Sequence, residues 1–253
     1  MTAAASDFLQ LAKPRITALV VFTTASGLWL APHGLPARTV LFALIGTVLV
    51  VAAANTLNMY LERDTDALMS RTMNRPLPAQ RMDPQVALKF GLALAAISVP
   101  LLTFAVGALP GAIPPLIGWT AATGRLDLPG VLLFAVMFLW QVPHFLAITL
   151  FRKDEYARAG LVVQPNQPGG DREARMNIVR YTVALVAVSL LFVPIGAAHA
   201  VYLAVALVAG LGFLGYGLLG LRSDAGPRWA RNLFLLSLVY LPVVFGALMF
   251  DRG

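Results

Sequence analysis

Six apolar segments, each about long enough to cross a bilayer, constrain the fold of this chain more than any other feature of its sequence. They cover residues 16–31, 38–60, 130–150, 179–197, 200–221 and 232–250. A helix needs roughly 17–25 apolar residues to span the hydrocarbon core, whereas a spanning barrel would show short alternating strands. Charged residues make up 12% of the sequence, against about 25% in a soluble domain. We therefore expect an all-α integral membrane protein, a polytopic helical bundle formed as one domain by residues 1–253.

Residues 86–123 form the one apolar stretch whose number of crossings is ambiguous. As a single helix they would reach about 57 Å, which suggests two crossings. The stretch is also broken by four prolines, Pro100, Pro110, Pro114 and Pro115. The positive-inside rule opposes two crossings, because the basic loops before 86 and after 150 must then lie on opposite sides. One crossing plus a re-entrant or interfacial proline-rich piece predicts about seven crossings, with the N-terminus and both loops cytoplasmic.

The basic charge of the chain fits a membrane protein better than a nucleic-acid-binding protein. The net charge is +7, and the 19 Lys and Arg residues lie mainly in loops, where they orient the chain and meet anionic lipid. The absence of cysteine excludes structural disulfides and thiolate metal sites. The first residues show neither a cleavable signal nor an Arg-rich transit peptide. A bacterial cell inner membrane is the simplest location, and no nucleic-acid partner is expected.

Residues 58–78 interrupt the apolar sequence with charges, and we call them the first motif. Asn58, Glu62 and Asp66 stand four residues apart, so on a helix they advance about 40° per step and share one face. The motif also contains Asp64, Arg63, Arg71 and Arg75. Carboxylates followed by guanidinium groups suit Mg²⁺ and the diphosphate that it neutralises. The alternative is a charged cytoplasmic loop that caps a membrane helix.

Residues 151–158, the second motif, repeat this mixture of charges directly after another membrane segment. Asp154 and Glu155 are candidate metal ligands, and Arg152, Lys153 and Arg158 are candidate diphosphate partners. Taken alone, this motif is typical of a stop-transfer charge cluster. Because both motifs are expected on the cytoplasmic side, we predict that they face one pocket.

The segment 130–150 contains polar groups at Trp140-Gln141-Val142-Pro143-His144. Pro143 can kink the helix, and polar side chains in a membrane helix normally face a cavity or another helix. His144 could ligate a haem iron, move a proton or hydrogen-bond a substrate propionate. A packed, satisfied histidine is the alternative.

Together these motifs resemble a known family. Asn58-x-x-x-Glu62-x-x-x-Asp66 followed by Arg71-Thr-Met-Asn-Arg75-Pro-Leu-Pro resembles the first acidic motif of the intramembrane aromatic prenyltransferases. Leu11-Ala-Lys-Pro-Arg, Trp140-Gln-Val-Pro-His144 and Phe151-Arg-Lys-Asp-Glu-Tyr156 narrow the resemblance to the protohaem IX farnesyltransferases, or haem O synthases. It covers nearly the whole chain in the family's order.

The resemblance implies a reaction and a set of site residues. A farnesyl group would pass from farnesyl diphosphate to a vinyl group of haem B, giving haem O and diphosphate, with Mg²⁺ as cofactor and haem B as substrate. The implied catalytic residues are Asn58, Glu62, Asp66, His144 and Asp154. The metal ligands would be Glu62, Asp64, Asp66 and Asp154. The diphosphate would meet Arg63, Arg71, Arg75, Arg152 and Lys153. The haem would meet Trp140, Gln141 and His144. Partners would be the lipid bilayer and proteins such as haem A synthase or oxidase assembly factors.

The chain departs from the family pattern in length. The family has nine helices, and about one helix with its basic loop has no counterpart here after residue 106. Two other functions therefore stay open: a related prenyltransferase with a quinone-type acceptor, and a catalytically impaired relative that binds haem.

Overall fold

The structure is a computed structural model, and it describes residues 5–30, 35–106 and 114–251. Within these ranges the regular elements are all helices. The chain forms two compact units, residues 1–126 and 127–253. The all-α polytopic class predicted from the sequence is confirmed, whereas the single domain stays a prediction.

The first unit contains six α-helices among its described residues. They are α1 Ala5–Ala12, α2 Pro14–Leu30, α3 Ala37–Leu61, α4 Arg63–Asp66, α5 Pro84–Pro100 and α6 Pro114–Thr123. Proline begins α2, α5 and α6, where its missing N–H costs nothing. At α5 the preceding Asp83 also caps the helix by accepting a hydrogen bond from the Gln85 amide at 2.7 Å.

Helices α2 and α6 pack through glycines on both partners. A Cβ atom on Gly118 would overlap the Thr24 carbonyl oxygen, and one on Gly27 would overlap the Pro115 carbonyl oxygen. The Thr24 hydroxyl also donates to the Pro114 carbonyl at 3.1 Å. Such small residues let membrane helices approach closely enough for backbone contact.

The ambiguous stretch 86–123 contains one long helix and one short helix. Helix α5 continues as a π-helical turn, Leu101–Val106, and α6 has 10 residues, about 15 Å of rise and half of a crossing. Residues 107–113 of the proline-rich run lie outside the described residues. The described part matches one crossing plus a short piece, and the total of seven crossings stays a prediction.

The second unit contains five α-helices in the part that the structure describes. They are α7 Leu128–Phe151, α8 Lys153–Arg158, α9 Gly170–Leu190, α10 Ala200–Leu219 and α11 Pro227–Phe250, with a short 3₁₀ turn at Gln164–Asn166. The boundaries 179–197 predicted for the fourth clear segment are wrong, because α9 begins at Gly170 and ends at Leu190. Its charged first turns hydrogen-bond within the protein, as Arg175 does to Asp171 at 2.5 Å, and apolar patterning cannot detect such turns.

Among the residues that the structure describes, five helices are long and apolar enough to cross a membrane. They are Ala37–Leu61, Pro84–Thr103, Leu128–Phe151, Ala200–Leu219 and Pro227–Phe250. Helix α2 is apolar but shorter, with 17 residues. The protein is therefore a multi-pass membrane protein.

Candidate functional site

The first motif begins on the last turn of α3 and continues past a break in the helix. Glu62 leaves helical geometry with φ −90° and ψ 2°, and α4 follows as a single turn. The break keeps the four-residue spacing, since the Glu62 amide donates to the Asn58 carbonyl at 2.9 Å and the Asp66 amide donates to the Glu62 carbonyl at 2.8 Å. The predicted alignment of these three residues thus extends across two helical pieces.

Asp66 is the buried carboxylate of the first motif, with 4% of its surface exposed. Its Oδ2 accepts a hydrogen bond from Arg75 Nη1 at 2.6 Å. Its carbonyl accepts one from the buried Thr72 hydroxyl at 2.8 Å. The aspartate and the arginine, nine positions apart, are therefore fixed together by the turns of residues 67–75.

The remaining charges of the first motif lie on its surface. Glu62, Asp64 and Arg71 are exposed. Arg63 turns back onto its own helix, where it donates to the Tyr60 carbonyl at 2.8 Å and lies 3.4 Å from Asp64 Oδ2. In this geometry Asp64 and Arg63 neutralise each other, while Glu62 and Arg71 stay accessible to a ligand.

A hydrophobic cluster beneath the motif holds its loop in place. Its buried members are Leu11, Met59, Leu77, Met82 and Ala87. Arg81 adds polar links to α1, with its Nε 3.1 Å from Asp7 Oδ1. Residues 61–85, which read as a polar loop in the sequence, are thus packed against α1, α3 and α5.

Lys13 is a cation of this site that the sequence reasoning did not assign to it. It lies at the bend between α1 and α2 with φ +48°, a left-handed conformation that favours glycine. Burial, followed by the positive charge of Arg75, lowers the pKa of the Lys13 amine, while Glu62 and Asp66 oppose that shift. Lys13 therefore lies within electrostatic reach of Glu62, Asp66, Arg71 and Arg75.

The donors of the first motif fit Mg²⁺ in number and kind. Mg²⁺ usually takes one or two protein carboxylates and completes its shell with water and substrate phosphates. The Glu62 carboxylate and the Oδ1 atom of Asp66 have no hydrogen-bonding partner among the described residues. Within those same residues no three His, Asp or Glu side chains gather as a ready-made cage, so the four-carboxylate set that includes Asp64 and Asp154 stays a prediction.

The second motif lies where α7 ends and α8 begins. Arg152 Nη1 contacts Glu155 Oε1 at 2.5 Å, and Lys153 Nζ lies 3.6 Å from Asp171 Oδ1 on α9. Asp154 is exposed, and its carbonyl, not its carboxylate, accepts the bond from Arg158. The predicted diphosphate partners Arg152 and Lys153 are therefore paired within the protein, and the Asp154 carboxylate is available.

The Trp140–His144 segment forms an ordered aromatic group on α7 and α11. The Trp140 indole donates to the Ser237 carbonyl at 2.8 Å, and His144 Nδ1 lies 2.7 Å from the Ser237 hydroxyl. The Trp140 and His144 rings stack with their centroids 4.6 Å apart, and Phe234 lies 4.9 Å from the imidazole. The Gln141 side chain is half-buried and makes no hydrogen bond to the described residues.

The structure thus gathers predicted residues into one group in the first unit and into two groups, the second motif and the Trp140–His144 segment, in the second. The first unit brings together Asn58, Glu62, Asp66 and Arg75, with Lys13 added. The second brings Trp140 and His144 together and adds Ser237, which no sequence motif indicated. The predicted pocket between the two motifs stays a prediction.

Comparison with known proteins places the whole chain among prenyl-transferring membrane proteins. The model of the UbiA prenyltransferase family matches residues 20–109 and 99–239. A protohaem IX farnesyltransferase of Sorangium cellulosum is 48% identical, and the alignment covers 91% of this chain and 99% of the relative. The enzyme of the same name from Myxococcus xanthus is 45% identical, with 98% and 95% covered.

Solved structures share the fold. A structure described as digeranylgeranylglyceryl phosphate synthase in membranes has a TM-score of 0.79 at 16% identity, covering 97% of both chains. A UbiA homolog from Archaeoglobus fulgidus bound to GPP and Mg²⁺ has a TM-score of 0.60 at 14% identity, covering 96% of this chain and 99% of that one.

The alignments are longer than the part of this chain that they include. The Sorangium alignment extends over 278 positions and includes 91% of the 253 residues of the chain, about 230, so about 48 of its positions have no residue here, and a membrane helix needs about 20 residues. The two matches to the family model overlap at residues 99–109. This overlap includes residue 106, after which the sequence predicts a missing helix, and the missing helix stays a prediction.

Proposed function

Since the chain belongs to the UbiA prenyltransferase family, we propose that it transfers the farnesyl group of farnesyl diphosphate to a vinyl group of haem B. The products are haem O and diphosphate. The single observation that supports this acceptor best is the near full-length similarity to proteins named protohaem IX farnesyltransferase. The reaction belongs to the synthesis of the haem cofactors of terminal oxidases.

The first step breaks the bond between the farnesyl carbon and the diphosphate oxygen, and the diphosphate leaves with the electron pair. The leaving group gains negative charge, so cations held in place before the reaction stabilise the transition state most effectively. Lys13, Arg71 and Arg75 supply that charge in the first unit, and Arg75 is oriented by its 2.6 Å contact with Asp66. In the second unit Arg152 and Lys153 are the cations that the sequence assigns to a diphosphate, and they pair there with Glu155 and Asp171.

Mg²⁺, when bound, neutralises the diphosphate oxygens and makes the diphosphate a better leaving group. Glu62 and Asp66 would hold it, and Asp154 is the further ligand that the sequence predicts from the second motif. The Archaeoglobus homolog is described as bound to GPP and Mg²⁺, which supports Mg²⁺ as the metal.

The second step joins the farnesyl carbon to the haem vinyl group. The vinyl group attacks the allylic cation, and water adds to the resulting cation and loses a proton, which gives a hydroxyethylfarnesyl group. Apolar helices around the farnesyl tail keep other water away from the allylic cation. Trp140, Gln141 and His144 are the residues assigned to haem.

The site operates at the cytoplasmic face of the cell inner membrane. The positive-inside rule supports this side for the N-terminus and both acidic motifs, because their loops contain most of the arginines and lysines. Haem A synthase and oxidase assembly proteins are the partners that could use the product.

A direct assay tests the function. Membranes that contain the protein are supplied with haem B, farnesyl diphosphate and Mg²⁺, and extracted pigments are separated by chromatography. We expect haem O to accumulate, and none to form when EDTA replaces Mg²⁺. A quinone-type acceptor that is prenylated in place of haem would contradict the assigned substrate.

A second candidate, a haem-binding relative with impaired catalysis, is favoured by the alignment positions that have no residue in this chain and by the overlap of the two family-model matches at residues 99–109. The sequence predicts that a helix and a basic loop are missing there. A folded protein that binds haem and farnesyl diphosphate and forms no haem O would establish this second function.

A further inference from the structure

The hydroxyl of Ser237 determines which nitrogen of His144 carries the proton. Ser237 Oγ lies 2.6 Å from the Phe234 carbonyl oxygen and 2.7 Å from His144 Nδ1. A carbonyl oxygen can accept and never donate, so the single hydroxyl proton of Ser237 points to Phe234. Towards His144 the hydroxyl oxygen must then accept, and Nδ1 is the donor.

The consequence is a lone pair on Nε2. A neutral imidazole has one N–H and one unprotonated nitrogen, so an Nδ1 proton leaves Nε2 as an acceptor. Nε2 makes no hydrogen bond to any described residue, and the ring is half-buried. His144 therefore offers an unused Lewis base and has no N–H left to donate.

Aromatic packing fixes the direction of that lone pair. The imidazole is stacked on Trp140, and the edge of Phe145 lies 5.5 Å from it between ring centroids. Trp140 is itself tied to the Ser237 carbonyl, so one serine on α11 holds both aromatic residues of α7. The rings of Phe234 and Phe151, 5.8 Å apart, add apolar surface suited to a flat macrocycle.

We infer that Ser237 is a positioning residue that holds His144 in the Nδ1–H tautomer, so that Nε2 ligates the iron of the haem substrate. This inference rests on the proposed function, because it takes haem B as the acceptor. Metal-bound histidines almost always donate their second N–H to a nearby acceptor, and loss of that acceptor costs about 10–100-fold in metal affinity. The same tautomer excludes His144 as a hydrogen-bond donor to a haem propionate.

Haem titration distinguishes the role of His144 from that of Ser237. Ferric haem B is added to the protein in nanodiscs while the Soret band and the electron paramagnetic resonance spectrum are recorded. We expect a histidine-ligated spectrum for the unaltered protein and its loss in His144→Ala. Ser237→Ala should weaken the ligated form about 10-fold, and Ser237→Thr, which keeps a hydroxyl, should restore it. Ser189→Ala removes another buried hydroxyl of the same unit, bonded to Tyr240, and should leave the spectrum unchanged.

A measurement without haem tests the tautomer even where Ser237→Ala fails to fold. The chain has three histidines, and His33→Gln with His199→Gln leaves His144 alone. Nitrogen-15 NMR of the labelled imidazole should show a protonated Nδ1 and an unprotonated Nε2. The opposite tautomer would overturn the inference.

The remaining outcomes distinguish the inference from the proposed function. If His144→Ala keeps the histidine-ligated spectrum, or Ser237→Ala binds haem as tightly as the unaltered protein, the inference is overturned and haem binding stands. If the unaltered protein neither binds haem B nor forms haem O, the proposed function fails, and the inference fails with it.

Discussion

At the scale of single residues, Asp66 is the carboxylate on which the diphosphate site depends most. It supplies one oxygen to Arg75 at 2.6 Å and keeps another for a metal ion. Asp66→Asn preserves the shape and removes the charge, so we expect haem O formation to fall roughly 100-fold or more. The rate measured with purified protein in nanodiscs, at saturating Mg²⁺, tests this expectation.

Asp224→Asn provides the matched control. Asp224 pairs with Arg222 on an exposed loop of the second unit, and its loss should leave the rate unchanged. Full activity of Asp66→Asn would refute the role of Asp66 at the metal.

The depressed pKa of Lys13 predicts an alkaline limit to catalysis. A lysine whose pKa is lowered loses its charge at a lower pH than an exposed lysine, and the neutral amine no longer attracts diphosphate. The kcat/KM for farnesyl diphosphate, which reports the free enzyme, should therefore decline as pH rises through that lowered pKa. Lys13→Arg stays charged and should extend the plateau to higher pH. An unchanged profile in Lys13→Arg would exclude Lys13 as the titrating group.

Lys13 and Ser237 show why the sequence did not predict the full site. The motif residues were recognisable because their charges interrupt an apolar sequence at helical spacing. Lys13 reads as a basic residue that precedes a membrane helix, and Ser237 as a small residue within one. Their roles depend on contacts across 49 or more positions, as between Lys13 and Glu62 or between His144 and Ser237. The local pattern of residue types does not indicate interactions between positions so far apart in the sequence.

At the scale of elements, the α2–α6 contact is the packing most sensitive to an added methyl group. A Cβ atom on Gly118 has no free volume beside the Thr24 carbonyl, and overpacking of this kind costs about 1–3 kcal/mol. We expect Gly118→Ala to lower the melting temperature measured in nanodiscs. Gly215→Ala, on α10 with nothing within 4 Å of its Cβ position, should leave it unchanged or raise it. Equal melting temperatures for the two variants would contradict the close contact.

The sequence predicted helix positions where apolar residues define them and failed where charges or prolines intervene. The range predicted as 38–60 is observed as the helix Ala37–Leu61, and the range predicted as 200–221 is observed as Ala200–Leu219. The predicted bounds of α9 lie too far towards the C-terminus, because its first turns are charged and their charges are paired within the protein. The junction after α5 could not be derived, since a π-helical turn depends on tertiary packing and not on residue type.

At the scale of the whole molecule, the lack of cysteine makes the topology directly measurable. Arg125 and Ser223 are both exposed and lie in the loops after α6 and α10. Each can be replaced by a single cysteine. A membrane-impermeant maleimide should label Arg125→Cys in intact cells. It should label Ser223→Cys only after the cells are lysed. Labelling of Ser223→Cys in intact cells, or protection of Arg125→Cys, would refute the seven-crossing arrangement.

The packing beneath the first motif has a chemical consequence for the protein under oxidative stress. Met59, Met69 and Met82 are buried there, with 1%, 4% and 2% exposed, whereas Met73 in the same loop is 49% exposed. Peroxide should therefore convert Met73 to its sulfoxide first, with the folded core intact. A sulfoxide at Met59 or Met82 would place a polar group inside the hydrophobic cluster beneath the first motif. Oxidation of these two methionines should therefore disturb the loop that contains Asp66 and Arg75, whereas oxidation of Met73 should not.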